Sequence, residues 1–161
     1  MTAGNSKMNR VLRWLTLLAC LAPAAAFSNS TSNDATSLDE AYGQINQRRI
    51  SSEVFHARCV SEFPELKGQI EADIAKWKRH DAVVLRKAAA RTAYLRTRFP
   101  DQFAAMDSAS EANTREMISG IMASGKETAR NVCKVHFANL GNGYWRKQTP
   151  NVYKLIEAAP R

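Results

Sequence analysis

The sequence predicts an all-α protein: an up-and-down bundle of three to four helices with one disulfide, preceded by a signal peptide. Three observations predict this class. The 161 residues include only seven glycines and five prolines, too few for a turn-rich β sandwich. Apolar residues recur at three- and four-residue steps along proline-free stretches, the period of a helix face. The first 26 residues run from basic to apolar to small, the anatomy of an export signal. The length excludes a doubly wound nucleotide enzyme or an α/β barrel. An apolar content of 45% excludes global disorder.

The signal comes first. Lys7, Arg10 and Arg13 form a basic start without an acid. Trp14 to Leu21 is the apolar run, and Ala24-Ala25-Ala26 supplies the small residues for cleavage after Ala26. The run is shorter than the ~20 residues that cross a bilayer. Met8 is an alternative start. Leu17-Leu18-Ala19-Cys20 offers a second reading, a lipobox whose cysteine would carry lipid, although Leu18 stands where a small residue is usual. Residues 27–36 read as a flexible leader, and 37–161 as a single helical domain. Without the signal, 20 basic and 15 acidic residues remain, a charge of +5 in place of +8.

Ser37-Leu38-Asp39-Glu40 is a capping box that opens a first helix, with a possible interruption at Gly43, running toward Phe63. Pro64 suits the first turn of a second helix reaching Arg98. Its seam is Ile70, Ile74, Trp77, Asp81, Val84, Ala88, Arg91 and Leu95, close to coiled-coil spacing. Phe99-Pro100 ends it. A turn or short helix covers 101–107, and Ser108 or Ser110 caps a third helix reaching Leu140. Met117, Ile118, Ile121, Met122, Val132, Val135 and Phe137 form its apolar positions, while Gly120, Gly125 and Ala129 permit close helix approach. Gly141 is the expected left-handed cap. Thr149-Pro150 begins a last short helix that docks through Val152, Leu155 and Ile156.

Cys59 and Cys133 are the only cysteines after the signal. An exported chain meets an oxidising compartment, so the pair is expected to be a disulfide. No C-x-x-C motif is present, and the three histidines are scattered, so no metal and no cofactor is expected. His56 and His136 each lie three residues from a cysteine and would meet at the same crossing. Asp81 and Arg91 interrupt the apolar seam. A buried carboxylate needs partners, and the expected arrangement is a structural polar network with Arg115 or Arg130.

Charge is the most informative functional feature. Residues 76–98 carry Lys76, Lys78, Arg79, Arg86, Lys87, Arg91, Arg96 and Arg98 against Asp81 alone. All of these bases except Arg91 form a candidate surface for an anionic partner. Residues 101–116 are acidic, at −3. Tyr144, Trp145, Arg146 and Lys147 form an aromatic–basic cluster, a candidate loop interface.

No nucleophile elbow, phosphate loop or dinucleotide fingerprint is present, and no catalytic residue is assigned. The export signal, long-range cysteine pair, Trp-centred helix and final Thr-Pro helix resemble many small helical envelope proteins of bacteria; this resemblance implies no activity. The expectation is a periplasmic or secreted non-enzymatic protein that binds a partner, as an inhibitor, immunity, chaperone-like or assembly factor. Its partner would be an envelope protein or anionic envelope component, with no nucleic acid and no transmembrane span in the mature chain. Two alternatives stand beside it. One is a metal-dependent or hydrolytic enzyme using His56, His136 or Asp81. The other is a binder of anionic lipid or glycan through the basic helix.

Overall fold

The structure is a computed structural model that describes residues 34–160. The signal segment with Cys20, and residues 27–33 of the leader, lie outside the described residues. The described chain is all-helical, without a strand. Its elements are α1 (Leu38–Glu62), a 3-10 turn (Pro64–Leu66), α2 (Lys67–His80), α3 (Ala82–Arg98), α4 (Pro100–Ala123), α5 (Lys126–Gly141), α6 (Tyr144–Gln148) and α7 (Pro150–Ala158).

Ser37 caps α1 as the capping box requires, its hydroxyl accepting from the Glu40 amide at 3.2 Å. Glu40 reaches back to Thr36, accepting from its amide at 2.9 Å and its hydroxyl at 3.0 Å. These bonds hold the Glu40 carboxyl below its ordinary pKa. The helix passes through Gly43 unbroken. One internal glycine costs about 1 kcal/mol relative to alanine, too little to end a helix that packs on α3, α4 and α7.

The expected second helix is two helices. Asp81 sits between them with φ −105° and ψ 17°. Its amide still donates to the Trp77 carbonyl (2.9 Å), and its carbonyl accepts from Leu85 (2.8 Å). The chain therefore bends at Asp81 without losing its path. The seam survives the bend: Ile70, Trp77, Asp81, Val84 and Ala88 are buried, and Ile74, Arg91 and Leu95 are half-buried.

The third helix differs more. Pro100 occupies the first turn of α4, so residues 101–107 are its opening turns, and Ser108 and Ser110 lie inside it. The helix breaks before Gly125, whose φ of 108° is a conformation that glycine alone adopts freely. Met117 and Val135, expected in the core, are 52% and 46% exposed. Gly143, not Gly141, is the left-handed residue, with φ 69°. Gly141 instead marks a close contact between α5 and α2, since a Cβ there would lie 3.0 Å from the backbone and Cβ of Asp73. A Cβ at Gly120 or Gly125 would meet nothing within 4 Å. Ala129 is buried in the core.

Side-chain pairs give the helix directions. Gln47 meets Ser110 and Ser51 meets Thr114, so α1 and α4 run parallel. Glu65 meets Arg130, Asp73 meets Gly141 and Asp81 meets Arg146, so α2 runs parallel to α5. Cys59 on α1 and Cys133 on α5 are joined as a disulfide, their Cα atoms 5.8 Å apart and both residues fully buried. Phe55, Phe63, Ile70, Trp77, Phe137 and Leu140 pack around it. A second core forms where Ala41 and Ile45 of α1 and Val84 and Ala88 of α3 meet α7.

Helix α7 buries Val152, Tyr153 and Ile156, with Leu155 half-buried. Remote side chains cap both of its ends. Asp34 accepts from the amides of Asn151 (2.9 Å) and Val152 (3.1 Å). Lys87 donates to the carbonyls of Ile156 (3.1 Å), Glu157 (2.8 Å) and Ala159 (2.6 Å). Anions at a helix N-terminus and cations at its C-terminus are the favourable pairings. Asp34, Ala35 and Thr36, read from sequence as the end of a flexible leader, are thus part of the packed domain.

Candidate functional site

The bend at Asp81 decides where the surface opens. Helix α3 packs against α1, α4 and α7, whereas α2 turns away from α1 to pack mainly on α5. Between α1 and the bent pair lies a groove of about 760 Å³. Ile74, Ala75, Trp77, Ala82, Leu85 and Ala89 supply its apolar lining. Ser52 and His56 line the α1 side, and Arg49, Glu53, Glu71 and Lys78 also border it. The spacing explains the arrangement. Glu71, Ala75, Lys78, Ala82, Leu85 and Ala89 follow four- and three-residue steps, forming one ridge along α2 and α3. Arg49, Ser52, Glu53 and His56 form the facing ridge on α1.

Asp81 holds the bend. It is 2% exposed. One carboxylate oxygen accepts from the Trp77 indole N–H at 3.0 Å. The other accepts from Nε (3.2 Å) and Nη2 (3.0 Å) of Arg146. Arg146 also donates to Glu157 at 2.7 Å and lies over the Tyr153 ring, 4.3 Å from its centroid. Partial burial works against the charge on Arg146, but Glu157 and Asp81 outweigh it and raise its pKa. Burial, with the nearby Asp81 charge, pushes the Tyr153 hydroxyl up to about 12. Arg48 lies against Trp145 (5.1 Å) and Tyr153 (5.8 Å) and donates to Thr149 Oγ1 at 2.8 Å. Burial lowers its pKa. The network fixes the Trp77 ring, which is itself part of the groove wall.

The expected partners of Asp81 were different. Arg115 pairs with Glu111 at 3.2 Å and Arg130 with Glu65 at 2.9 Å, both on the surface. Arg91 pairs with Asp39 at 3.0 Å and does not join Asp81. The Tyr144–Lys147 cluster is helix α6, and its members divide. Arg146 turns inward to Asp81 and Trp145 packs on the disulfide core. Tyr144 and Lys147 remain exposed.

The basic stretch divides as well. Lys76 pairs with Asp73 at 3.1 Å, Arg96 pairs with Asp107, and Lys87 caps α7. Lys78, Arg79, Arg86 and Arg98 are exposed without an ion-pair or hydrogen-bond partner among the described residues. Lys78 lies on the groove, so the free charge and the apolar opening coincide there.

His56 and His136 do flank the disulfide crossing. The His136 ring lies 4.5 Å from Phe55 and 4.9 Å from Phe137, while His56 meets Phe137 edge-on at 6.3 Å. Nε2 of each is buried without a hydrogen-bond partner. Burial pushes the His136 pKa down to about 4. Among the described residues, no group of three or more His, Cys, Asp or Glu side chains is placed to hold a metal. Asp81 is engaged on both oxygens by Trp77 and Arg146.

The groove itself was not read from sequence. Its signal was present as a carboxylate in an apolar seam, four residues after a tryptophan able to bond it. Comparison with protein-family models, with curated proteins and with solved structures finds no match.

Proposed function

We propose that this is an exported helical protein, periplasmic or secreted, that acts by binding a partner, as an inhibitor, immunity, chaperone-like or assembly factor. The observation that carries this reading is the groove between α1 and the bent α2–α3 pair: an apolar lining with the free Lys78 on its α2–α3 side, on helices that also carry the exposed Arg79 and Arg86 outside the lining. Interfaces combine an apolar centre with a polar rim in this way. The interior charges support the same reading, because Asp81, Arg146 and Arg48 hold helices together.

The compartment rests on two supports. A disulfide closing a long loop suits an oxidising environment, and the first 26 residues have the order of a cleaved signal. No described helix is long and apolar enough to cross a membrane. We read the architecture as an up-and-down bundle whose columns are α1, the bent α2–α3, α4, and α5 with its short C-terminal helices.

A pull-down from envelope extract at rising salt tests the function. A partner retained at physiological salt by the native protein, and lost with Lys78→Glu/Arg86→Glu, is the expected result. Loss of every captured species at physiological salt overturns the reading. The free Lys78, Arg79, Arg86 and Arg98 also favour a second reading, binding of anionic lipid or glycan. Liposome flotation checks it, since such binding must weaken as salt screens it.

A further inference from the structure

We infer that the groove receives one amphipathic α-helix of a partner protein, with that helix's apolar face on Ala75, Ala82, Leu85 and Ala89 and an acidic edge against Lys78, Arg79 and Arg86. The inference rests on the partner-binding reading and names the chemistry of the partner.

Shape is the first support. From Glu71 to Ala89 the ridge covers 18 residue steps, about 27 Å of helix before the bend is allowed for. That length suits a helix of about five turns. The facing ridge on α1 has the same four- and three-residue spacing, so a helix between them would meet ridges on both sides. Three ridge positions, Ala75, Ala82 and Ala89, are small and seven residues apart. Small residues let a helix axis come close, while Trp77, Ile74 and Leu85 supply the apolar area. A helix held by its apolar face is one of the recurring modes of recognition.

Charge is the second support, and it selects the edge. On the α1 side the charges already neutralise each other, Arg49 pairing with Glu53 at 3.1 Å. At the α2 start, Glu71 faces Lys67 at 3.9 Å. Lys78, which lines the groove, and Arg79 and Arg86, which stand exposed on the same two helices outside the lining, have no such partners. An acidic edge on the incoming helix would satisfy them, whereas a basic edge would add repulsion to an already positive side.

The experiment uses the mature chain with its disulfide intact, labelled with 15N. Three probes are titrated: a peptide of about 18 residues with a Leu/Ala face and a glutamate edge, the same peptide with a lysine edge, and a long-chain fatty acid. The expected result is that the glutamate peptide shifts amide signals of Ser52, His56, Ala75, Ala82 and Leu85. The lysine peptide should bind at least about tenfold more weakly. Lys78→Glu/Arg79→Glu/Arg86→Glu should reverse that order, and its far-UV circular dichroism should match the parent, since all three side chains are exposed. Equal binding of both peptides overturns the acidic edge, and shifts confined to other helices overturn the groove. Shifts with the fatty acid alone overturn the helical occupant in favour of a lipid. A partner captured by pull-down whose binding leaves the groove signals unmoved refutes this inference while partner binding itself stands. Absence of any partner in the pull-down refutes the broader reading.

Discussion

Replacing Arg146 with methionine removes the charge that faces a buried carboxylate, so it should cost far more than a surface substitution. Removing one partner of a buried pair costs about 3–5 kcal/mol, because the other charge stays buried. The Arg146 side chain is 37% exposed while that of Asp81 is 3% exposed. Water entering beside the missing guanidinium would solvate part of the carboxylate, which lowers the expected loss to about 2–3 kcal/mol. Asp81→Asn keeps an acceptor for the Trp77 indole and leaves Arg146 paired with Glu157, so its loss should be about 1–2 kcal/mol. The double variant should lose less than the sum of the two, by about 1–2 kcal/mol. Urea unfolding followed by circular dichroism at pH 7 gives these values. With an m-value of about 1–2 kcal/mol/M for a chain of this size, Arg146→Met should move the midpoint down by about 1–3 M. An Arg146→Met stability within about 0.5 kcal/mol of the parent, or two substitutions that add without coupling, would show that Arg146 does not hold the Asp81 charge.

Three further outcomes follow from the same geometry. Reduction of Cys59–Cys133, or Cys59→Ser/Cys133→Ser, should lower stability by up to about 4.5 kcal/mol, the chain-entropy value for a loop of this length; an unchanged urea midpoint with and without reductant would contradict the bond's role. Burial holds the His136 pKa near 4 against 6.5 when unfolded. Between those pH values the unfolded chain takes up a proton that the folded protein refuses, so stability falls as pH drops from 6.5 to 4 and this contribution then levels off. The full loss is about 3 kcal/mol, and His136→Phe should remove that part of the pH slope in urea titrations at pH 7, 5.5 and 4. Gly141→Val pushes two methyl groups toward the Asp73 backbone, where even a Cβ has only 3.0 Å; about 1–3 kcal/mol of destabilisation is expected, and a neutral Tm would show that α2 and α5 can separate freely.

The helical period was legible wherever one face stayed against one neighbour. Ile70, Trp77, Val84 and Ala88 are buried as their spacing requires, and Val152 and Ile156 dock α7 as expected. The breaks were harder to place. Asp81, at the bend, has its carboxylate held by a guanidinium 65 residues away, and that alignment exists only once α2 and α5 run parallel. The same limit hid the partner of Asp81: Arg115, Arg130 and Arg146 are equivalent as sequence, and direction alone separates them. Ser108 or Ser110 suits a cap by residue type, yet Pro100 already starts the helix. On the surface, summed charge could locate the basic stretch but not its free members. Lys76, Lys87 and Arg96 are engaged by groups that folding brings to them, leaving Lys78, Arg79, Arg86 and Arg98. The groove follows from the bend, so it was hidden for the same reason the bend was.

The opening at the Asp81 bend is the proposed site at which this protein meets its partner. Amide hydrogen exchange on the native protein, alone and with the partner retained in pull-down, tests it most directly, because exchange reports local opening segment by segment. Added protection is expected over residues 49–56 and 74–89, lost again in Lys78→Glu/Arg86→Glu. Protection confined to α4 or to the C-terminal helices, with 49–56 and 74–89 unchanged, would contradict it.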